Sequence, residues 1–158
     1  MKVSEQLALF RGRRHLVLDA KGRMVMPAKY RDRLFEGCQG QFVITIDRAP
    51  CLLLYPLPEW EEVEKKLARL SSTDPRARKF KRFLMGNAED CEMDGQGRLL
   101  LPPPLREFAG LNKQVVLVGQ GNKFELWDEE RWNAQNEAWL AEAEDGSELP
   151  ADLAALDF

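Results

Sequence analysis

The chain has 158 residues, an ordinary single-domain length, and its 23 Lys and Arg against 26 Asp and Glu leave a net charge of −3, which on average argues against a nucleic-acid partner. One histidine and three cysteines (Cys38, Cys51 and Cys91) without Cys-x-x-Cys spacing point to neither a zinc site nor a disulfide framework, and the thiols read as buried and free. No apolar stretch approaches the ~18 residues that span a bilayer, and Glu5, Arg11, Arg13 and Arg14 stand where a signal peptide has an apolar run, so a soluble, cytoplasmic chain is expected.

Residues 16–18, 23–26, 42–46 and 52–55 are short runs rich in branched and aromatic side chains, bounded by turn or charged residues, and each predicts a strand. Pro27 closes the second of these and opens a short helix over residues 27–34, ending near Gly37. Pro58 opens a stronger helix, in which Trp60, Val63, Leu67 and Leu70 form one apolar stripe and Glu61 and Glu62 face water. Asp74 as N-cap and Pro75 as first residue begin another over residues 75–85, where Arg76, Arg78, Lys79, Lys81 and Arg82 surround Phe80, Phe83 and Leu84. Strands follow at residues 91–93 and 98–101, then a short helix at 102–108 and a hairpin pairing 115–118 with 124–127. Asp128 caps a last helix to about residue 143, and Asp145-Gly146-Ser147 begins a tail with little to bury.

Two windows are alike. Residues 19–31 read D-A-K-G-R-M-V-M-P-A-K-Y-R, and residues 94–106, 75 positions later, read D-G-Q-G-R-L-L-L-P-P-P-L-R. Further on the offset becomes 72, pairing Tyr55 with Trp127, Trp60 with Trp132 and Leu67 with Trp139. The chain is an internal duplication, and units of roughly 50 to 60 residues are marginal as separate cores, so the copies are expected to share one.

Charge is segregated along the chain. Residues 1–35 hold nine Lys or Arg against three acids, whereas Arg131 is the only Lys or Arg after Lys123. A basic face in the first repeat could meet phosphate; scattered solvated charges explain the same counts equally well. An enzyme finds little support: His15 has no partner nucleophile or second histidine, and G-Q-G at 119–121 lacks the continuation of a dinucleotide or P-loop site. What remains is the repeated D-x-x-G-R turn. Gly22 and Gly97 can take the positive φ of a tight reversal, Asp19 and Asp94 can accept turn amides, and Arg23 and Arg98 are then presented beside a rigid turn. Such a guanidinium can fork onto phosphate or onto O6 and N7 of guanine; it can equally close a salt bridge to its own Asp with no ligand. Arg31 and Arg106 read as structural, reaching from the following helix toward the same Asp.

With Phe10-Arg11-Gly12, the first D-x-x-G-R window, C-L-L-L-Y-P-L-P-E-W at 51–60 and L-V-G-Q-G-N-K-F-E-L-W-D at 117–128, the chain closely resembles the MraZ family from about residue 10 to 139. The resemblance implies an α+β, mainly β fold: two SpoVT-AbrB domains as a duplicated swapped-hairpin β-barrel with flanking helices, at 10–57 and 87–130, joined by a helical linker at 58–86. An N-terminal extension at 1–9 and a C-terminal helix and acidic tail at 131–158 flank them. It implies a DNA-binding transcriptional regulator, chiefly a repressor, of the bacterial division and cell-wall gene cluster. It further implies a nucleoid-associated homo-oligomeric ring on direct repeats of double-stranded promoter DNA, without enzymatic activity, cofactor, metal or membrane. DNA contacts carry over to Arg23 and Arg98, with Lys21, Arg11, Arg13, Arg14 and Lys29 beside them, and the turn residues to Asp19, Gly22, Asp94 and Gly97. Gln96 in place of Lys21, and prolines at 102–104, set the second copy apart. The rival readings are an assembly protein, an antitoxin-like module of the same fold and a sequence-blind nucleic-acid chaperone.

Overall fold

Strands of three to seven residues bury too little to stand alone, and here each repeat completes its sheet with strands of the other. The computed structural model describes residues 10–144 and 150–156, so residues 1–9 and part of the acidic tail lie outside the described residues. In chain order the elements are β1 (Arg13–Val17), β2 (Arg23–Val25), α1 (Ala28–Cys38), β3 (Gln41–Asp47), β4 (Cys51–Pro56), α2 (Leu57–Ala68) and α3 (Pro75–Gly86). The second half supplies β5 (Glu89–Glu92), β6 (Arg98–Leu100), α4 (Pro103–Phe108), β7 (Gln114–Gly119), β8 (Phe124–Asp128), α5 (Glu129–Glu144) and α6 (Ala151–Ala154).

Six strands form one antiparallel sheet in the order β1-β7-β8-β4-β3-β5, and β2 pairs with β6 in a separate ribbon. The edge strands are exchanged. His15 of β1 lies opposite Val116 of β7, while its counterpart Asp90 of β5 lies opposite Val43 of β3. Two pairs map onto themselves under the duplication, Met24 with Leu99 in the ribbon and Leu53 with Glu125 at the sheet centre. A pseudo-twofold axis therefore runs through ribbon and sheet. The expected α+β, mainly β fold is present, and the six-stranded sheet is not closed: β1 and β5 end as edges because the three-residue ribbon strands pair with each other rather than with them.

Strand alternation sorts the apolar side chains into two layers. Phe42, Ile44, Leu52, Leu54, Phe124 and Leu126 face the ribbon, α1 and α4, and bury Met24, Met26, Leu34, Leu99, Leu101 and Leu105. On the opposite face Val43, Leu53, Tyr55 and Trp127 lie under Trp60, Leu67 and Leu84 of α2 and α3. Thr45 Oγ1 donates to the Leu84 carbonyl at 2.6 Å, tying α3 to the sheet.

Local rules set the helix ends. The Asp74 side chain accepts from the Arg76 amide at 2.9 Å, as expected of an N-cap with proline next. The first helix runs past Gly37 to Cys38, because burial of Cys38 outweighs the roughly 1 kcal/mol that an interior glycine costs; Gln39 in the left-handed conformation ends it. Pro102 serves as N-cap, so α4 starts at Pro103, and Pro103 and Pro104 occupy a first turn where no amide donor is needed.

Candidate nucleic-acid interface

Each D-x-x-G-R turn is closed by its aspartate. Asp19 Oδ1 accepts the amides of Lys21 and Arg23, both at 2.9 Å, and Oδ2 accepts from Arg23 Nε at 2.6 Å. Asp94 repeats the arrangement with the amides of Gln96 and Arg98 at 2.9 Å and with Arg98 Nε at 2.7 Å. Gly22 and Gly97 turn the chain at φ of 81° and 77°. The Arg23 amide, followed by its guanidinium and the Lys21 amide, holds the Asp19 carboxyl down to about 2. Asp94 is lowered in the same way, chiefly by the Arg98 amide. The salt-bridge clasp that the residue pattern allowed is thus present in both copies. It uses Nε, so any ligand would meet the Nη edge of each guanidinium.

Arg31 and Arg106 are structural, but each serves the other repeat rather than its own Asp. Arg106 lies over Gly22, where an added Cβ would stand 2.5 Å from its Cζ, and Arg31 lies over Gly97, 2.4 Å from Cδ by the same measure. Their Nε atoms donate to the carbonyls of Leu101 and Met26 at 3.1 and 2.9 Å. The Nε bonds reach back five residues within the same repeat, whereas the approach of each arginine to the other repeat's glycine comes from the pairing of β2 with β6 and is not revealed by spacing within one repeat.

The ribbon presents the two turns from one rigid support. Met24 and Leu99 point inward and are fully buried, so alternation turns Arg23, Val25, Arg98 and Leu100 outward, with Arg23 opposite Leu100 and Val25 opposite Arg98. Val25 and Leu100 are exposed. This mixed apolar and cationic outer face was not singled out from sequence, although the period-2 pattern of R-M-V and R-L-L carries the signal.

Charge breaks the symmetry. At the first turn a cavity of about 290 Å³ is lined by Leu18, Asp19, Gly22, Arg106, Asn112 and Lys113, so Arg106 and Lys113 join Lys21 and Arg23 there. At the second turn Gln96 replaces Lys21, and the edge strand changes from R-R-H-L-V in β1 to E-D-C-E in β5. The predicted basic set is only partly gathered. Tyr30 links Lys29 and the Arg11 backbone beside Gly12: the Lys29 ammonium sits 4.7 Å from the Tyr30 ring centroid, and the Tyr30 hydroxyl donates to the Arg11 carbonyl. Arg13 and Arg14, neighbours on a strand, point to opposite faces. Arg14 shares the ribbon side with Leu16; Arg13 shares the α5 side with His15, whose Nδ1 is 3.3 Å from Glu129 Oε2.

Asp47, Cys51 and Glu125 bring ligand-type atoms within 4.8 Å of one another. Burial first, then the charges of Glu125 and Asp47, push the Cys51 thiol far above its ordinary value. No helix among the described residues is long and apolar enough to cross a membrane.

A family model described as "MraZ protein, putative antitoxin-like" matches residues 9–83 and again 84–151. The chain is 55% identical over 150 residues to a protein of Thioalkalivibrio sulfidiphilus named "Transcriptional regulator MraZ", covering 95% of this chain and 100% of that one. A protein of the same name from Halorhodospira halophila is 55% identical over 150 residues, 94% of this chain and 99% of its own. Another from Pseudomonas aeruginosa is 53% identical over 146 residues, 92% and 97% of the two chains.

Proposed function

The chain belongs to the MraZ family, and on that premise we propose that it is a transcriptional regulator that binds double-stranded DNA through the outer face of the β2–β6 ribbon. The observation that carries this reading is the pair of aspartate-clasped arginines at the two ends of a short rigid ribbon, the first of them inside a cluster of further cations. A two-stranded ribbon is of a width that the major groove, about 12 Å across, admits. Fixing Nε to an aspartate removes rotamer freedom before binding, so the Nη edge can fork onto phosphate or onto guanine O6 and N7 with little further ordering cost. The finer parts of the reading follow the family resemblance. They are repression of the division and cell-wall cluster, direct promoter repeats, a ring of subunits on the nucleoid in the cytoplasm, and a swapped-hairpin fold of SpoVT-AbrB type, supported here by the exchange of β1 and β5 between repeats.

The first turn is the principal reader and the second a weaker one: Arg106 at the first is matched by Arg31 at the second, but Lys21 and Lys113 lie only at the first and Gln96 and an acidic edge strand at the second. Lys21, Arg11, Arg14 and Lys29 supply phosphate contacts around it. A ring would set several such ribbons at the spacing of tandem repeats, so affinity rests on multivalency. The test is a salt-resolved titration of wild type, Arg23→Ala and Arg98→Ala against promoter DNA with direct repeats and a shuffled control. Arg23→Ala is expected to lose about 1 to 3 kcal/mol of discrimination, Arg98→Ala less, and the log-log salt slope is about 0.9 per phosphate contacted. Equal affinity of wild type for both DNAs would defeat the reading.

A further inference from the structure

The duplication supplies its own control for what a helix on this sheet needs. In the first repeat, Tyr55 packs on Trp60 of α2 with ring centroids 5.4 Å apart, and in the second Trp127 packs on Trp132 of α5 at 5.9 Å. One and a half to two turns later the repeats part: Leu67 of α2 is 4% exposed, and its counterpart Trp139 of α5 is 59% exposed. Leu67 belongs to the apolar cluster that Leu84 of α3 completes. After α5 the chain offers only α6, four residues with Leu153 and Leu156 exposed nearby, and no side chain of α5 is buried. The second half of the molecule thus carries a helix-covering site that its own described residues leave empty.

α3 has a second face to offer. Arg76, Lys79, Phe80 and Phe83, spaced along one side of the helix, line a groove of about 300 Å³ with Arg48, and Phe80 is 45% exposed. Pro75–Gly86 contains five cations and no acid, while Glu129–Glu144 holds five glutamates against Arg131. We propose that the free face of α5, centred on Trp139 and Leu140, docks into the Arg48–Arg76–Lys79–Phe80 groove of a second copy of this chain. The two surfaces differ, so the contact is head-to-tail and propagates from copy to copy, closing into a ring where the rotation allows. It supplies the interface for the ring proposed above and rests on that reading. Glutamates flanking Trp139, among them Glu142 one turn on, set the register against the α3 cations, and apolar burial of Trp139 and Phe80 holds it.

Sedimentation velocity on the full chain tests this with an α3 variant (Arg76→Ala, Lys79→Ala, Phe80→Ala), an α5 variant (Trp139→Ala, Leu140→Ala) and their equimolar mixture. All five side chains are exposed, so both variants should keep the wild-type circular dichroism spectrum. The contact requires a wild-type assembly, self-association at least tenfold weaker in each variant alone, and dimers in the mixture, where one intact α3 face meets one intact α5 face and nothing remains to extend the chain. Variants that assemble like wild type overturn the contact and leave the ring standing, and a mixture that stays monomeric overturns the head-to-tail pairing. An α3 variant that assembles normally but loses DNA affinity assigns that groove to phosphate instead. A wild type monomeric with and without DNA sinks the ring and the contact together.

Discussion

At the scale of single residues, the glycines of the two turns are held by both conformation and contact. A Cβ at Gly97 would need positive φ and would also strike Arg31. Gly97→Ala should therefore destabilise by about 1 to 3 kcal/mol in urea melts. In an Arg31→Ala background the loss should shrink without vanishing, since only the clash is relieved; strict additivity would disprove coupling between the repeats at this point. Asp19 carries a pH signature. Its carboxyl lies below the ordinary 3.8, at about 2, because the folded turn donates hydrogen bonds to the ionised form. The stability it contributes is complete above about pH 4 and disappears as pH falls toward 2. Side-chain carboxyl NMR should show that low midpoint, and the stability gap between wild type and Asp19→Asn should close over the same window. Cys91, half-buried beside Glu89 and Asp90, has its thiol raised to about 11, chiefly by burial. Native alkylation at pH 8 should run roughly a hundredfold slower than for an unfolded thiol, whose thiolate fraction follows a value near 8.5.

Among the elements, the helices divide into one that is sealed and one that is not. Trp60 of α2 is buried against the sheet, whereas Trp132 of α5 is only partly buried there. Trp60→Ala should cost about 3 to 5 kcal/mol and Trp132→Ala visibly less, a difference that chemical denaturation of the isolated chain at low concentration would measure. The sequence predicted the boundaries of most strands and helices to within a few residues, since proline, glycine and capping aspartate act locally. It gave the hairpin of 115–118 with 124–127, which β7 and β8 form, but was silent on how the other strands pair. The apolar stripe of α2 and its weaker copy in α5 look alike in sequence, and only the position of α3 reveals that one is covered.

For the molecule as a whole, exchange makes the two repeats inseparable. β1 finds its partner in β7 and β5 finds its own in β3, so residues 10–86 and 87–144 expressed apart each lack a strand at the sheet edge and half of the ribbon. Neither fragment should fold alone, and mixing them should restore the native far-ultraviolet spectrum; a cooperatively folded single fragment would refute the shared core. The net charge of −3 hides a dipolar particle with a basic edge at β1 and an acidic edge at β5. In the function proposed above, that asymmetry on a symmetric frame lets the first turn lead in DNA binding.

Sequence alone determined the duplication, most of the elements, the two D-x-x-G-R turns and the family, because each is written in local chemistry or in a pattern that recurs at a constant offset. That each Asp clasps its Arg stays open in the sequence and came from the structure. The tertiary structure decided that Arg31 and Arg106 cross to the opposite turn, that Arg13 and Arg14 part to different faces, and that the sheet stays open. It also placed Lys113 and Arg106 at the first turn and left Trp139 uncovered. Those outcomes depend on which strands lie side by side, and pairing between distant segments is set by the packing of the whole core rather than by any stretch that could be read by itself.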